Sequence, residues 1–253
     1  VWHSILAALQ FFTVVPVHRE IPLTKRTVTG MFITLAWLGM LIGAADYAVL
    51  WGLSHFNVTP LLVALALVLT SAIITGGLHL DGFIDTCDAF FSYRDIQKRH
   101  EILDDPRVGA FGVMAFVFLI LLKIALLYEL LQLGVVSWWV LILLPFMTRN
   151  GMLLFLLTTK PAKDKGIAHF FMQKLHKKTA YFALFQLNAI IALFVLLSAS
   201  ILPIILAIVL LVTVVIYRSF ALRNFDGISG DLLGAYIEGA EVLLWLVLLL
   251  YYA

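Results

Sequence analysis

Long uninterrupted apolar runs alternate with short polar connections along this chain, and none shows the two-residue alternation of a membrane barrel strand. A helix crossing a bilayer needs about 20 mostly apolar residues. On that criterion the pattern predicts seven spans, at roughly 31–53, 58–80, 109–133, 135–158, 180–199, 201–222 and 236–253. The first fifteen residues are also apolar, but they end at Pro16 and are too short to span, so they predict an interfacial or re-entrant helix. The expected fold is all-α: a polytopic integral membrane helical bundle of about seven transmembrane helices plus an interfacial N-terminal helix. No repeat, low-complexity tract or long linker divides the chain, so residues 1–253 are read as a single transmembrane domain.

Composition strengthens that picture. Hydrophobic residues make up 63% of the 253 positions and charged ones 13%, with a mean hydropathy of +1.05, more apolar surface than a soluble core can bury. The net charge of +2 is nearly balanced and gives no footprint for nucleic acid. Cys87 is the only cysteine, so no internal disulfide supports the fold. The start, VWHSILAALQFFTVVPV, lacks a basic opening and a small-residue cleavage site, so no cleavable leader is expected. Lysines and arginines choose the orientation. They gather before the first predicted span, between the second and third, between the fourth and fifth, and after the sixth, while the intervening connections have none. Cytoplasmic loops collect such residues, so every second loop is expected in the cytoplasm and the carboxyl end outside. The stretch HFFMQKLHKK (169–178) reads either as a helix lying on anionic headgroups or as plain positive-inside anchoring.

The candidate chemistry lies in GGLHLDGFIDTCDAFFSYRD (76–95), where the second span predicts a helical continuation. Asp81, Asp85 and Asp88 follow an i, i+4, i+7 spacing and fall on one stripe of such a helix. Like charges so placed repel unless a cation neutralises them, and hard oxygen donors suit Mg²⁺ or Mn²⁺. A second acidic group, RHEILDDPRVGAFG, holds Glu101, Asp104 and Asp105 beside Arg107, and a third, GDLLGAYIEGAE, holds Asp231, Glu238 and Glu241. A solvated loop balanced by nearby basic residues is the plain alternative, but it needs neither helical register nor the glycines at 76, 77 and 82. His79 reads equally as an acid, base or ligand and as a hydrogen-bonded structural residue. Arg94, Arg107, Arg149 and Arg223 are cations at the same level that can clamp phosphate, and Arg149, interrupting a span, requires a polar cavity. Carboxylates, a divalent cation and arginines together indicate phosphoryl or phosphodiester transfer. Asp46 and Lys123 lie at similar depths in their spans and are expected to pair, while Glu129 sits near an outer end and reaches water.

These blocks resemble the cobalamin (cobamide) synthase family, adenosylcobinamide-GDP ribazoletransferase. GGLHLDGFIDTCDAFF, RHEILDDPRVGAFG and GDLLGAYIEGAE occur in family order across nearly the whole chain, and FFTVVPVHR is similar to the family's amino-terminal segment. Asp81, Asp85 and Asp88 match the acidic motif. Glu101 and Asp105 match the second block, with Asp104 where the family often has a basic residue. Arg149 matches an arginine before a glycine-containing helix, and Gly230, Asp231, Glu238 and Glu241 match the last block. Ala36, Ala89 and Lys163 depart from the family pattern without removing a carboxylate.

The resemblance implies that adenosylcobinamide-GDP is joined to α-ribazole, or its 5′-phosphate, giving adenosylcobalamin, or its phosphate, and GMP, with Mg²⁺ as cofactor. It implies Asp81, Asp85 and Asp88 as metal ligands, and Asp105, Arg107, Arg149 and His79 as catalytic groups. Glu101, Asp231, Glu238, Glu241, Arg94 and Arg223 become expected substrate contacts. The expected location is the cytoplasmic (inner) membrane with the site on the cytoplasmic face. Two soluble substrates and membrane lipid are the expected partners, and a homo-oligomer is compatible with such a bundle. Two rivals share features. CDP-alcohol phosphotransferases and polyprenyl transferases also set aspartates around a divalent cation at helix ends, with spacings other than D-x3-D-x2-D. A metal or ion transporter requires polar groups through the bilayer midplane, whereas the carboxylates here cluster towards one face.

Overall fold

The computed structural model describes all 253 residues as eleven helices, with no sheet beyond one isolated bridge. In chain order they are α1 (Trp2–Phe12), α2 (Lys25–Leu53), α3 (Pro60–Thr75), α4 (Leu78–Phe91), α5 (Ile96–Leu103) and α6 (Ala110–Gln132). α7 (Trp138–Thr158), α8 (Ile167–Lys174), α9 (Lys177–Ser198), α10 (Leu202–Phe225) and α11 (Gly230–Tyr252) follow. Caps set several starts: the side chains of Thr24, Thr59 and Ser229 accept first-turn N–H groups of α2, α3 and α11, and Pro60 opens α3. α2 and α11 each begin six residues before the predicted span because their first turns, KRTVTG and GDLLGA, dilute the hydropathy there. α1 is a short helix packed on α2 through Ser4, Ala7 and Ala8, as expected of a segment too short to span.

Six helices are long and apolar enough to cross a membrane, and α3 with α4 makes a seventh, bent pair. The chain is an integral membrane protein. α6 and α10 turn large apolar side chains such as Phe118 and Ile216 outward, where lipid is their solvent.

One expectation is corrected here. The acidic helix does not continue the second span: α3 and α4 meet at 94°. α3 has only 16 residues, which at 1.5 Å per residue is about 24 Å, short of the roughly 30 Å hydrocarbon core. The cause is the glycine pair. Gly76 and Gly77 have φ of 62° and 74°, and the Gly77 N–H closes the end of α3 on the Ala72 carbonyl at 2.9 Å. Side chains disfavour that conformation by about 1–2 kcal/mol per residue, so two such residues in sequence require glycine. The pair makes a corner.

The core is centred on α7, which is enclosed on nearly every face, and α2 is its most extensive partner. Pro145 inside α7 cannot donate to the Leu141 carbonyl four residues earlier, and the backbone of α2 at Gly43 packs against that carbonyl with no room for a β-carbon. Gly43→Val is therefore expected to wedge α2 from α7 and destabilise the protein by about 1–3 kcal/mol. A thermal melt of the detergent-solubilised protein checks it, and an unchanged Tm rejects this contact as tightly packed.

The second correction concerns the buried charges. Asp46 and Lys123 do not pair. Ser71 of α3 donates to Asp46 Oδ2 at 2.9 Å, whereas Lys123 Nζ on α6 donates to Glu238 Oε2 at 2.5 Å and Glu241 Oε2 at 2.8 Å, both on α11. Equal depth does not make two residues neighbours: α6 packs against α11, and α2 against α7.

Candidate active site

One end of the bundle encloses a cavity of about 470 Å³ between α4, α8, the start of α11 and the segment 162–166. That segment belongs to a strap fixed to the α10–α11 turn. The Ile228 N–H donates to the Lys160 carbonyl and the Ala162 N–H to the Ile228 carbonyl, each at 3.0 Å, and Lys160 pairs with Asp226 at 2.5 Å.

Charges of both signs line the cavity: Asp81, Asp104 and Asp231, and Lys163 and Lys165. Asp81 of α4 and Asp231 in the first turn of α11 stand on one side. They are brought together because α4 packs closely on α11 at Gly82, where an added β-carbon would lie 2.7 Å from the Asp231 carbonyl oxygen. Neither carboxylate has an ion-pair partner, and Asp231 accepts only the Ser229 hydroxyl, at 3.3 Å. Lys163 and Lys165 of the strap, with His100 and His169, supply the basic lining. Lys163 Nζ donates to Asp104 Oδ2 at 2.6 Å. Burial and the Lys163 ammonium hold the His100 imidazole below its ordinary value, so His100 is neutral at pH 7. Phe11, Phe12, Phe32 and Phe171 form an aromatic part of the lining, with edge-on contacts of 5.3 to 5.9 Å between ring centres. His79 also lines the cavity. It is 4% exposed and its Nε2 has no partner.

The other expected site residues are dispersed. Asp85, one turn beyond Asp81, is half-buried and within electrostatic reach of Asp81, Asp231 and Asp88. Asp88 turns to α6, where its Oδ1 accepts the Gly112 N–H at 3.2 Å in the helix's first turn. Glu101 is exposed and pairs with Lys98 at 2.5 Å. Asp105 and Arg107 form a two-contact pair, at 2.9 and 2.6 Å, away from the cavity lining, and Arg107's hydrogen bonds hold the Asp105 carboxyl down at about 2. Arg94 and Arg223 are exposed and do not line the cavity. Arg149 is 3% exposed within α7, donating to the Pro145 carbonyl at 3.4 Å and the Thr148 hydroxyl at 3.2 Å. Glu238 and Glu241 stand in the core with Lys123, so of the third acidic block only Asp231 reaches the cavity. Sequence reading missed Lys163, Lys165, His100, His169 and the four phenylalanines. Lys165 stood out only as positive charge in a loop, and Lys163 as that and as a departure from the family pattern.

No three of the chain's histidine, cysteine, aspartate and glutamate side chains converge into a closed ligand cage. Asp81 and Asp85 nevertheless offer hard oxygens with no basic partner, and Asp88 keeps one oxygen beyond the one bound to Gly112. This donor set fits Mg²⁺, which keeps several waters and takes one or two carboxylates plus substrate phosphates rather than an all-protein cage.

Fold and site together define a polytopic membrane protein with a cavity lined by both carboxylates and lysines at one end of its bundle. Comparison with known proteins makes this specific. The chain belongs to the cobalamin-5-phosphate synthase family, a family of enzymes, which it matches over residues 4–249. It is similar to the adenosylcobinamide-GDP ribazoletransferase of Geobacillus sp. (strain WCH70), 34% identical over 247 residues, covering 96% of this chain and 94% of the relative. The protein of the same name from Halalkalibacterium halodurans is 37% identical over 246 residues, covering 96% and 94%. The one from Clostridium botulinum (strain Kyoto / Type A2) is 34% identical over 248 residues, covering 98% of each chain. No solved structure matches the chain.

Proposed function

We propose that this chain joins adenosylcobinamide-GDP to α-ribazole, or its 5′-phosphate, forming adenosylcobalamin, or its phosphate, and releasing GMP, with Mg²⁺ as cofactor. The observation that carries the reading is a cavity lined by charges of both signs: beside the Lys163–Asp104 pair, the Asp81 and Asp231 carboxylates and the Lys165 ammonium have no ion-pair partner. A diphosphate carrying a divalent cation satisfies both. The names of relatives aligned over nearly their whole length support the choice of substrates.

In this reaction the ribose hydroxyl oxygen bonds to the phosphorus attached to cobinamide. The bond from that phosphorus to the GMP oxygen breaks, and its electron pair leaves with GMP. The hydroxyl proton must pass to a base. Asp105, held at about 2 by Arg107 outside the cavity, is a weak one. Asp231 lines the cavity with no cation on its carboxylate and is the better acceptor. Asp81, Asp85 and Asp88 would hold Mg²⁺, which when bound supplies charge neutralisation for the pyrophosphate oxygens. A cavity of about 470 Å³ is the scale of a drug-sized ligand, so the corrinoid ring stays at the mouth. Under the positive-inside rule that mouth opens to the cytoplasm from the cytoplasmic membrane.

The test is direct. Detergent-purified protein given adenosylcobinamide-GDP, α-ribazole and Mg²⁺ is expected to yield GMP and the joined cobamide in equal amounts. A folded protein that yields neither, with α-ribazole 5′-phosphate and other divalent metals also tried, rejects the proposal.

A further inference from the structure

We propose that the strap is the phosphate-recognising wall of the cavity, with Lys165 and Lys163 taking the substrate's diphosphate. The inference rests on the proposed reaction and adds residues to it. A diphosphate needs cations, and none of Arg94, Arg107, Arg149 and Arg223 lines the cavity. Lys163 and Lys165 are its only lysine or arginine side chains. Lys165 makes no ion pair and no side-chain hydrogen bond. Lys163 is bound to Asp104, but that carboxylate is 69% exposed. The Lys163 side chain is 25% exposed and also reaches the His100 carbonyl at 3.4 Å, so it is held in place, while its exposed carboxylate partner is free to give way to an entering phosphate.

The strap is also built to hold cations in place. Its two backbone hydrogen bonds to Ile228 and the Lys160–Asp226 pair fix it to the turn that leads into Asp231. The same short connection therefore positions both walls. Directly after Lys165, Gly166 is the N-cap of α8 with no side chain to cap it, and the first residues of the helix line the cavity, adding N–H groups without a side-chain partner beside the lysines. His79, buried and with Nε2 unpartnered, lines the same space.

The experiment measures binding of inorganic pyrophosphate with Mg²⁺ to the full chain in detergent by titration calorimetry, beside KM and kcat for adenosylcobinamide-GDP. Variants are Lys165→Met, Lys165→Arg, the Lys163→Met/Lys165→Met double, and Lys178→Met as a charge-matched exposed control. Lys165→Met is expected to weaken pyrophosphate binding and raise KM by about tenfold, the scale of one charge-assisted contact, and the double variant by about a hundredfold. Lys165→Arg should recover most of the loss, and Lys178→Met should match wild type. If the wild type turns over and binds pyrophosphate while the double variant binds equally well, the strap is not the phosphate wall and the reaction stands. A wild type that neither binds pyrophosphate nor releases GMP overturns both.

Discussion

Asp81→Asn is expected to lower GMP release by about 10³-fold while leaving the protein folded. Asp81 is exposed to the cavity, makes no side-chain hydrogen bond and has no ion pair, so its carboxylate contributes nothing to packing. A substitution of that kind normally stays within about 0.5 kcal/mol in stability. The loss therefore falls on chemistry: one fewer negative charge to hold a cation against the pyrophosphate. Asp85→Asn should behave alike. Asp88 separates the two effects, because its Oδ1 holds the Gly112 N–H at the start of α6. Asparagine keeps that acceptor, whereas Asp88→Ala removes it and should cost about 1 kcal/mol of stability besides activity. GMP release at saturating substrates, a Mg²⁺ titration and a thermal melt on each variant measure these outcomes. A loss below tenfold for Asp81→Asn, or a melt that falls in step with turnover, removes the acidic stripe from the reaction.

The largest stability change is expected from Lys123→Met. Its ammonium lies between Glu238 and Glu241, which are three residues apart on one face of α11, and all three side chains are at most 10% exposed. Removing the cation leaves two adjacent buried carboxylates without their ion-pair partner, with Arg149 at longer range as the remaining positive charge near Glu241. Breaking a buried pair in this way costs about 3–5 kcal/mol, because the stranded charges are worse than a neutral core. The Lys123→Met/Glu238→Gln/Glu241→Gln variant, which strands none, should recover most of the lost Tm. Asp46→Asn should couple to Lys123→Met more weakly than either glutamate does, since the two residues make no hydrogen bond and act on each other only through charge. A single Lys123→Met that melts with wild type rejects this account of how α6 is tied to α11.

The contrast between Asp81 and Lys123 indicates what a sequence of this type reveals. Hydropathy finds membrane helices well because lipid leaves the backbone few alternatives to a helix, and the seven predicted spans correspond to six long helices and the bent pair. The acidic register of residues 81, 85 and 88 was legible for the same reason, as helical spacing is local. What lay hidden was tertiary. The glycines at 76 and 77 read as places of close approach, and only their φ values reveal a corner. Lys123 and Asp46 matched in depth, but depth gives no azimuth and no neighbour, so the true partners on α11 were assigned to substrate instead. Arg149 carried a requirement for polar surroundings, yet nothing in its sequence context distinguished a core position from a cavity wall. The strap lysines, 163 and 165, gained meaning only when the Pro161–Ile228 bridge drew their segment beside Asp231.

The central position of α7 has a consequence for tolerance to substitution. Protein encloses 89% of its most apolar window, against 22% for α10 and 28% for α6. A leucine exchanged for isoleucine or valine on α10 meets fluid acyl chains that rearrange around it. The same exchange on α7 meets fixed side chains from helices on every side. Conservative exchanges on α10 or α6 are therefore expected to be tolerated far better than the same exchanges on α7, the helix that reaches across the membrane almost wholly inside a jacket of protein.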